Sequence, residues 1–181
     1  FLGRPRSASF RLNDLVGLDV MQWIARNLID RCPHDPHIAT LATPRSMVAL
    51  LERGWIGEKA GQGYYRKEGR ELVALDLQTM AYRNFQEARF PSIERLAGKP
   101  LGERIGEALQ LRDEVGEFLR EYLVPFLRYA DFLKEEISNS VADFDRVMEW
   151  GFGWELGPFR MIDAIGAGPL GMDVPKYYEG G

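Results

Sequence analysis

The sequence predicts an all-α, mainly helical fold, in which one small β-hairpin is the only candidate β element. Apolar residues recur at helical spacing through most of the 181 residues, and capping residues, prolines and glycines bound these periodic segments. One eight-residue pattern occurs twice, since residues 10–17 (FRLNDLVG) and 159–166 (FRMIDAIG) share Phe-Arg, an Asp and a final Gly at the same spacing. We interpret this repetition as an internal duplication, in which each copy is a turn, a short helix and a stop.

The second copy has the more distinctive turn. Residues 150–158 (WGFGWELGP) place three glycines and a proline among large aromatic side chains. This composition is typical of an irregular turn in which backbones approach closely and aromatic surface is buried. Pro158 suits the first turn of the following helix, and Gly166 suits a left-handed cap at its end. The first copy has a shorter approach, residues 3–5 (GRP), with one residue of slippage.

The composition and charge indicate a globular chain and argue against several kinds of partner. A chain with 45% apolar and 12% aromatic residues can build a core in one or two domains. The net charge of -4 and the pI near 5.3 argue against nucleic acid or an anionic membrane as the main partner. One cysteine cannot form an internal disulfide, so we expect a reducing, cytoplasmic compartment. No apolar run has the length of a membrane span, and the start at Phe1 rather than Met leads us to expect a fragment.

Residues 1–89 are predicted to form the first helical repeat, without its N-terminal helices. Caps and apolar periodicity define its helices, and alternation around a Gly-containing turn defines the hairpin. The predicted elements are a short helix ending at Gly17, a helix over about 20–31, a helix from Thr43-Pro44 to Gly54, a hairpin at 64–77, and a helix from Asp76 or Thr79 towards Ala88.

Residues 90–103 are rich in proline and glycine and predict a linker to a second, truncated repeat at 104–181. A helix is expected over 104–136, kinked or broken at Pro125. A second helix is expected over 140–150, with Asp143, Asp145 and Arg146 mostly outward. Residues 167–181 are expected to trail over the surface.

The loop at residues 31–37 (RCPHDPH) contains the only cysteine and both histidines. Cys, His and Asp are metal ligands, but ligands this close on one stiff loop rarely close a tetrahedral site alone. We therefore favour a surface loop, with metal binding as the alternative. A Cys-His nucleophilic pair is favoured still less, because nothing in the sequence positions a base.

Two glycine-rich segments are candidates for nucleotide binding. Residues 54–65 (GWIGEKAGQGYY) could cradle a phosphate but lack the Walker spacing, so a structural turn is favoured. Residues 166–171 (GAGPLG) match Gly-x-Gly-x-x-Gly. A dinucleotide site needs that motif between a strand and a helix, whereas here it follows a predicted helix and contains a proline. We interpret it as unrelated to nucleotide binding.

Several ordered motifs carry a family resemblance. Residues 3–11 (GRPRSASFR), 14–19 (DLVGLD) and 57–65 (GEKAGQGYY) resemble the C-terminal helical domain of NAD-dependent 3-hydroxyacyl-CoA dehydrogenases. Residues 143–159 (DFDRVMEWGFGWELGPF) resemble a second copy of that domain. Tandem copies are similar to the large fatty-acid oxidation enzymes that fuse the dehydrogenase to an enoyl-CoA hydratase.

The resemblance implies that the catalytic groups of the enzyme lie outside this chain. In the family a nucleotide-binding domain and a His-Glu pair perform hydride and proton transfer, and neither is in this chain. The family's substrate-contacting asparagine would precede Phe1, and its place in the second copy falls at Arg120. The resemblance therefore implies a C-terminal portion that walls the acyl-CoA cleft, contacts the missing NAD-binding domain, and neither binds NAD nor turns over substrate alone.

No residue of the chain is expected to be catalytic, cofactor-binding or metal-binding. The candidates for cleft or interface positions come from the two glycine motifs. Their glycines are expected to permit turns and their aromatics to fill space, while the two cations could approach the CoA phosphates, although a solvated cation is favoured. These candidates are Lys59, Gly61, Gly63, Tyr64, Trp154, Phe159 and Arg160.

Two alternatives stay open. A free-standing, non-catalytic helical interaction module would need natural termini near residues 1 and 181. A related dehydrogenase acting on another hydroxy acid would differ only in substrate. Truncation of the first repeat is also expected to expose an apolar groove, through which the isolated chain would form a homodimer.

Overall fold

A computed structural model describes residues 1–5, 7–86 and 88–178, except the side chain of Ala8. The α-helices and strands are α1 Ala8–Val16, α2 Leu18–Arg31, α3 Arg45–Glu52, β1 Tyr65–Glu68, β2 Glu71–Leu75, β3 Tyr82–Asn84, α4 Pro91–Glu94, α5 Leu101–Ala108, α6 Glu114–Ile137, α7 Val141–Arg146 and α8 Pro158–Ile165. The predicted mainly helical class with a small hairpin is confirmed. The described residues form two compact units, an N-terminal unit of residues 7–86 and a C-terminal unit that joins residues 1–5 to 88–178.

The N-terminal unit packs α1, α2 and α3 with an antiparallel sheet of order β1-β2-β3. The hairpin pairs Tyr65 with Ala74 and turns at Gly69, whose φ of 63° is in the left-handed region. Tyr64, at its start, is buried. The core of the unit consists of Leu18, Met47, Leu50, Tyr64 and Leu75.

The helix predicted from Asp76 or Thr79 is wrong. Oδ1 of Asp76 accepts hydrogen bonds from the backbone N–H groups of Gln78 and Thr79, at 3.0 and 2.9 Å. Such a side-chain bond stabilises a turn instead of a helix. The chain therefore reverses, and Tyr82 pairs with Leu75 as the first residue of β3.

The C-terminal unit contains α4 to α8 around one apolar core. Residues of α5, α6 and α8 supply most of that core, and Phe159, Ile105, Leu123 and Leu127 are fully buried within it. In contrast to the predicted linker at 90–103, α4 and the start of α5 belong to this unit. Gly102 packs directly against α8 and leaves no room for a side chain, since a Cβ at this position would lie 2.5 Å from the Cβ of Ala164.

The predicted long helix is divided at a different place from the one expected. The break separates α5 from α6, and α6 continues through Pro125. Asp113 begins α6 because its carboxylate accepts a hydrogen bond from Gly116 N, at 3.0 Å. Arg120 holds the connection, since its Nη1 donates to the carbonyls of Leu109 and Leu111 at 2.7 and 2.8 Å.

Residues 167–178 do not trail over the surface as predicted, and residues 179–181 lie outside the described residues. Leu170 is buried in a 3₁₀ turn, Gly168–Leu170, and its carbonyl accepts from the guanidinium of Arg128 at 2.8 Å. The backbone N–H groups of Tyr177 and Tyr178 also donate hydrogen bonds, to the carboxylate of Asp163. Within the described ranges, no helix combines the length and apolarity that a membrane span requires.

Candidate functional site

The duplicated helix uses its Asp in the same way in both repeats. The carboxylate of Asp14, on α1, accepts hydrogen bonds from the backbone N–H groups of Tyr64 and Tyr65, at 2.9 and 2.7 Å. The carboxylate of Asp163, on α8, accepts from Tyr177 and Tyr178, at 2.9 and 2.8 Å. Each Asp therefore fastens a distant Tyr-Tyr pair to its own helix, and we call this arrangement the Asp clasp.

The backbone supports the duplication as well. Both helices end at a glycine with positive φ, 104° at Gly17 and 89° at Gly166, and each glycine N–H donates to the carbonyl four residues earlier at 2.8 Å. Gly3 and Gly153 have nearly equal φ angles of 64° and 67°. The one-residue slippage between the copies therefore lies between these glycines and the helices that follow them.

A different buried carboxylate, that of Asp145, closes the start of α8, and we call this second arrangement the Asp145 clasp. Asp145, on α7, accepts from the N–H groups of Phe159 and Arg160 at 2.8 and 2.9 Å, and from the Tyr178 hydroxyl at 2.7 Å. Glu149 accepts from Gly157 N at 2.9 Å and forms an ion pair with Arg160. Carboxylates at a helix N-terminus satisfy its orphan donors and complement its dipole. Asp145 was predicted to face outward, yet it is fully buried because of this role.

Two glycines leave the space that the carboxylates occupy. A Cβ at Gly63 would overlap Asp14 Oδ1 and lie 2.8 Å from the Cγ of Asp14, and a Cβ at Gly157 would lie 2.5 Å from the Cα of Asp145. Carbon atoms cannot approach this closely without displacement of the backbone. Gly63 and Gly157 are therefore required by the buried carboxylates beside them.

Burial dominates the electrostatics of Asp14 and Asp145. The pKa of Asp14 is raised by desolvation, although its hydrogen bonds to Tyr64 and Tyr65 and the charge of Arg11 oppose the shift. The pKa of Asp145 is raised by desolvation in the same way, against hydrogen bonds from Tyr178, Phe159 and Arg160. These are structural carboxylates, whose acceptor capacity is used by groups of the same chain.

We expect the Asp14 carboxyl to titrate at higher pH than that of Asp76, whose pKa is lowered by N–H donors from Thr79 and Gln78. A carboxyl whose pKa is raised on folding stabilises the fold fully below its unfolded pKa of about 3.9, and loses this contribution as pH rises through the folded pKa. Side-chain ¹³C NMR over roughly pH 2 to 7, a range that covers a full carboxyl titration, measures the titration midpoints of Asp14 and Asp76. A midpoint of Asp14 at or below that of Asp76 would contradict the dominance of burial.

The predicted candidate residues lie in different surroundings. Gly63 and Tyr64 belong to the Asp14 clasp, and the Tyr64 ring contacts Phe10 edge to face at 4.7 Å between centroids. Phe159 and Arg160 belong to the Asp145 clasp. Gly61 has φ of 78°, ends a 3₁₀ turn, and has open space where a Cβ would be.

The other two candidates make contacts elsewhere. Lys59 Nζ lies 2.6 Å from Asp19 Oδ1, and both side chains are 45% exposed. The Arg4 guanidinium lies 4.0 Å from the centroid of the Trp154 ring. It also lies near the rings of Tyr122 and Phe126, so Trp154 belongs to an aromatic cluster around a cation.

The carboxylates that hold these motifs together were not among the residues predicted from the sequence. Asp14 and Asp163 could have been found, because Asp is the shared polar residue inside an otherwise apolar repeated helix. Asp145 and Glu149 gave no such signal, since acidic residues on a short helix usually face water. Arg120, at the place of the family's asparagine, binds the backbone carbonyls described above.

A pocket of about 420 Å³ opens in the C-terminal unit. It is lined by Phe1, Leu2, Phe90, Ile93, Glu114, Val115, Phe118 and Leu119. Glu114 is the one ionisable side chain in this lining, so the pocket offers apolar contact without a paired acid and base.

The remaining motifs of the sequence are the Gly-x-Gly-x-x-Gly segment and the loop that contains Cys32. Residues 166–171 follow α8 and continue into the 3₁₀ turn, with no strand before them. Cys32 is exposed. Across the described ranges, no group of three or more His, Cys, Asp and Glu side chains is arranged to hold a metal ion.

Fold and clasps together define a class: a duplicated, mainly helical unit in which buried carboxylates fasten glycine-rich turns. Comparison with protein-family models finds no match. A probable 3-hydroxyacyl-CoA dehydrogenase of Bacillus subtilis is 38% identical over 98% of this chain, which corresponds to 23% of that protein. A putative fatty acid oxidation complex trifunctional enzyme of Rickettsia prowazekii is 26% identical over 89% of the chain and 22% of its own length.

A shorter match extends the relationship to animals. The human mitochondrial hydroxyacyl-coenzyme A dehydrogenase is 32% identical over 38% of the chain. The chain is therefore homologous to a segment of the 3-hydroxyacyl-CoA dehydrogenases, and it spans less than a quarter of the length of these relatives.

Proposed function

We propose that this chain is part of an NAD-dependent 3-hydroxyacyl-CoA dehydrogenase, which oxidises 3-hydroxyacyl-CoA to 3-oxoacyl-CoA in fatty-acid β-oxidation. The observation that carries the proposal is the 38% identity to a probable dehydrogenase over 98% of the chain. The match to a putative trifunctional enzyme of a fatty acid oxidation complex supports fusion to further activities, and we propose an enoyl-CoA hydratase as one of them. The single exposed cysteine is consistent with the cytoplasm.

The chain's contribution is architectural. Asp14, Asp145, Asp163 and Glu149 all accept hydrogen bonds from backbone N–H groups of the chain itself. Such carboxylates fix helix ends and turns, which is what a cleft wall or a domain contact requires. The proposed role is therefore to form one wall of the acyl-CoA cleft and to contact the NAD-binding domain.

NAD does not fit the residues present. Its pyrophosphate is ordinarily held where a parallel strand leads into a helix, at a glycine-rich turn. The sheet of the described residues is antiparallel, and the matching glycines at 166–171 follow α8. The cofactor would be held by another part of the polypeptide, and no step of its chemistry is assigned to this chain.

The test is a comparison of two proteins, the product of the full reading frame and the 181-residue chain. With a 3-hydroxyacyl-CoA and NAD, we expect the full product to form NADH and the 181-residue chain to form none. Robust turnover by the short chain would overturn the architectural role. A well-folded full product without dehydrogenase activity would overturn the enzyme assignment.

We expect Lys59→Ala to leave the KM for the acyl-CoA substrate unchanged in the full product, because the Lys59 side chain is already paired with Asp19 and open to solvent. Lys67→Ala, which removes another exposed cation of the N-terminal unit, is the matched control. A KM that rises for Lys59→Ala and not for Lys67→Ala would instead place Lys59 at the CoA phosphates.

A further inference from the structure

Residues 1–5, which we call the entry segment, belong to the first repeat by sequence and to the second by packing. In the duplication they are the approach to the first copy of the repeated helix, and α1 begins three residues after Pro5. Their packing nevertheless joins them to residues 88–178 in the C-terminal unit. The second repeat therefore binds the segment that leads the chain into the first.

The backbone of the entry segment is fixed at two points. The carbonyl of Phe1 accepts a hydrogen bond from Arg104 Nε at 2.8 Å, and the carbonyl of Gly3 accepts from the N–H group of Glu155 at 2.8 Å. Gly3 has φ of 64°, and a Cβ there would lie 2.7 Å from Leu101 Cδ2 and 2.9 Å from the Cβ of Glu155. The site therefore accepts a glycine in the left-handed region and no larger residue.

The side chain of Arg4 lies among three aromatic rings of the second repeat, which we call the Arg4 cage. The guanidinium carbon is 4.0 Å from the centroid of the Trp154 ring, 5.2 Å from that of Tyr122 and 5.5 Å from that of Phe126. Nη1 of Arg4 also donates a hydrogen bond to the Tyr122 hydroxyl. A planar, weakly hydrated guanidinium stacks well on aromatic faces, so the cage suits an arginine better than a lysine.

The aromatic faces are the main stabilisation of the Arg4 charge. Nε and Nη2 of Arg4 are buried and have no hydrogen-bond acceptor within the described part of the chain. A buried cation without acceptors is costly unless other groups compensate for its lost hydration. Trp154 is the nearest ring, so we expect the binding of the entry segment to depend on the pair of Arg4 and Trp154.

The first turn of α1 is weakly held within its own unit. Its N-cap residue Ser7 makes no side-chain capping bond, and Phe10 is 44% exposed. Arg11 forms an ion pair with Glu58, but both side chains are partly exposed, and such pairs contribute little. The buried carboxylate of Asp14 fastens the other end of the helix. Release of the entry segment is therefore expected to free the start of α1 before its end.

We propose that the Arg4 cage and the site around Gly3 form an intramolecular docking surface, through which the second repeat holds the entry segment and limits the opening of α1. The partner that fits this surface is a segment in which an arginine follows a left-handed glycine. The glycine allows close approach to Leu101 and Glu155, and the arginine fills the cage. The duplicated repeat thereby acts on the first without contacting a substrate, so the proposal does not depend on dehydrogenase activity.

Hydrogen exchange of the 181-residue chain and its variants tests the proposal. We expect Arg4→Met to accelerate exchange of the amides of residues 11–13 roughly tenfold, because a desolvated cation–π contact shifts a local opening equilibrium by about that factor. Trp154→Leu, a change in the other unit, should accelerate the same amides to a similar extent. The double variant should be no faster than either single variant, since both substitutions remove the same contact.

Arg112→Met, at an exposed cation of the C-terminal unit, is the matched control and should leave residues 11–13 unchanged. Met keeps the length and apolar stem of Arg4, so the C-terminal unit should stay folded in Arg4→Met. The amides of the fully buried Leu123 and Leu127 report this, and we expect them to keep their protection. Unchanged exchange of residues 11–13 in Arg4→Met would overturn the proposal. So would a double variant in which the two accelerations multiply.

Discussion

Replacement of Asp145 by alanine is expected to lower the free energy of unfolding of the C-terminal unit by about 3 kcal/mol or more, because three donors lose one acceptor. Those donors are Phe159 N, Arg160 N and the Tyr178 hydroxyl. Phe159 is fully buried, so water cannot readily replace the lost bond at its N–H. Urea denaturation followed by far-UV circular dichroism measures the change.

Asp143→Ala is the matched control for this prediction. Asp143 lies on the same short helix, but its side chain is 55% exposed and pairs with Arg146 at the surface, at 2.7 Å. Exposed pairs of this kind contribute little, so we expect a change within about 0.5 kcal/mol. Similar losses for both variants would contradict the assignment of Asp145 as the residue that fastens α7, α8 and the Tyr178 segment.

Gly63→Ala is expected to destabilise the N-terminal unit by about 3 kcal/mol, since the added methyl group would displace the Asp14 carboxylate from its two N–H donors. The new Cβ would overlap Asp14 Oδ1 and lie 2.8 Å from the Cα of Gly57. The Asp14 side chain has no room to move away from the new methyl group, because Asp14 is only 1% exposed. Chemical denaturation measures the loss, and NMR of the Tyr64 and Tyr65 amides reports whether the clasp has opened.

Gly61→Ala separates the steric effect from the conformational one. Gly61 lies two residues earlier and has φ of 78°, but a Cβ there meets nothing within 4 Å. Alanine in the left-handed region costs about 1–2 kcal/mol, without disturbing Asp14. Gly63→Ala should therefore cost more than Gly61→Ala and should alone shift the Tyr64 and Tyr65 amides. An equal cost with an intact clasp would show that Gly63 is not there to accommodate the carboxylate.

Buried carboxylates also explain the closest backbone approaches in the two glycine motifs. Each motif leads the chain past a buried carboxylate, Asp14 in one repeat and Asp145 in the other. Gly63 and Gly157 are the positions where the approach is closest. The glycines are thus part of the packing, and the cations beside them, Lys59 and Arg160, are paired with Asp19 and Glu149.

The sequence by itself determined the mainly helical class, the hairpin, the duplication and the family. It could do so because these depend on local signals: apolar periodicity, capping residues, turn glycines and the order of short motifs. The end of α8 at Gly166 is an example, since a glycine after a short periodic segment specifies the stop locally. The φ of 89° at Gly166 is positive as predicted, but its ψ of 148° differs from that of the predicted left-handed cap.

Only the tertiary structure decided which polar residues are structural. Asp145 and Asp143 are two residues apart on one helix, yet one is buried and the other exposed, because α8 and Tyr178 pack on one side only. The turn after Asp76 and the break before Asp113 likewise depend on side-chain bonds to backbone groups, which outweigh helical propensity. Such choices depend on what is adjacent in space, and spacing along the chain does not record it.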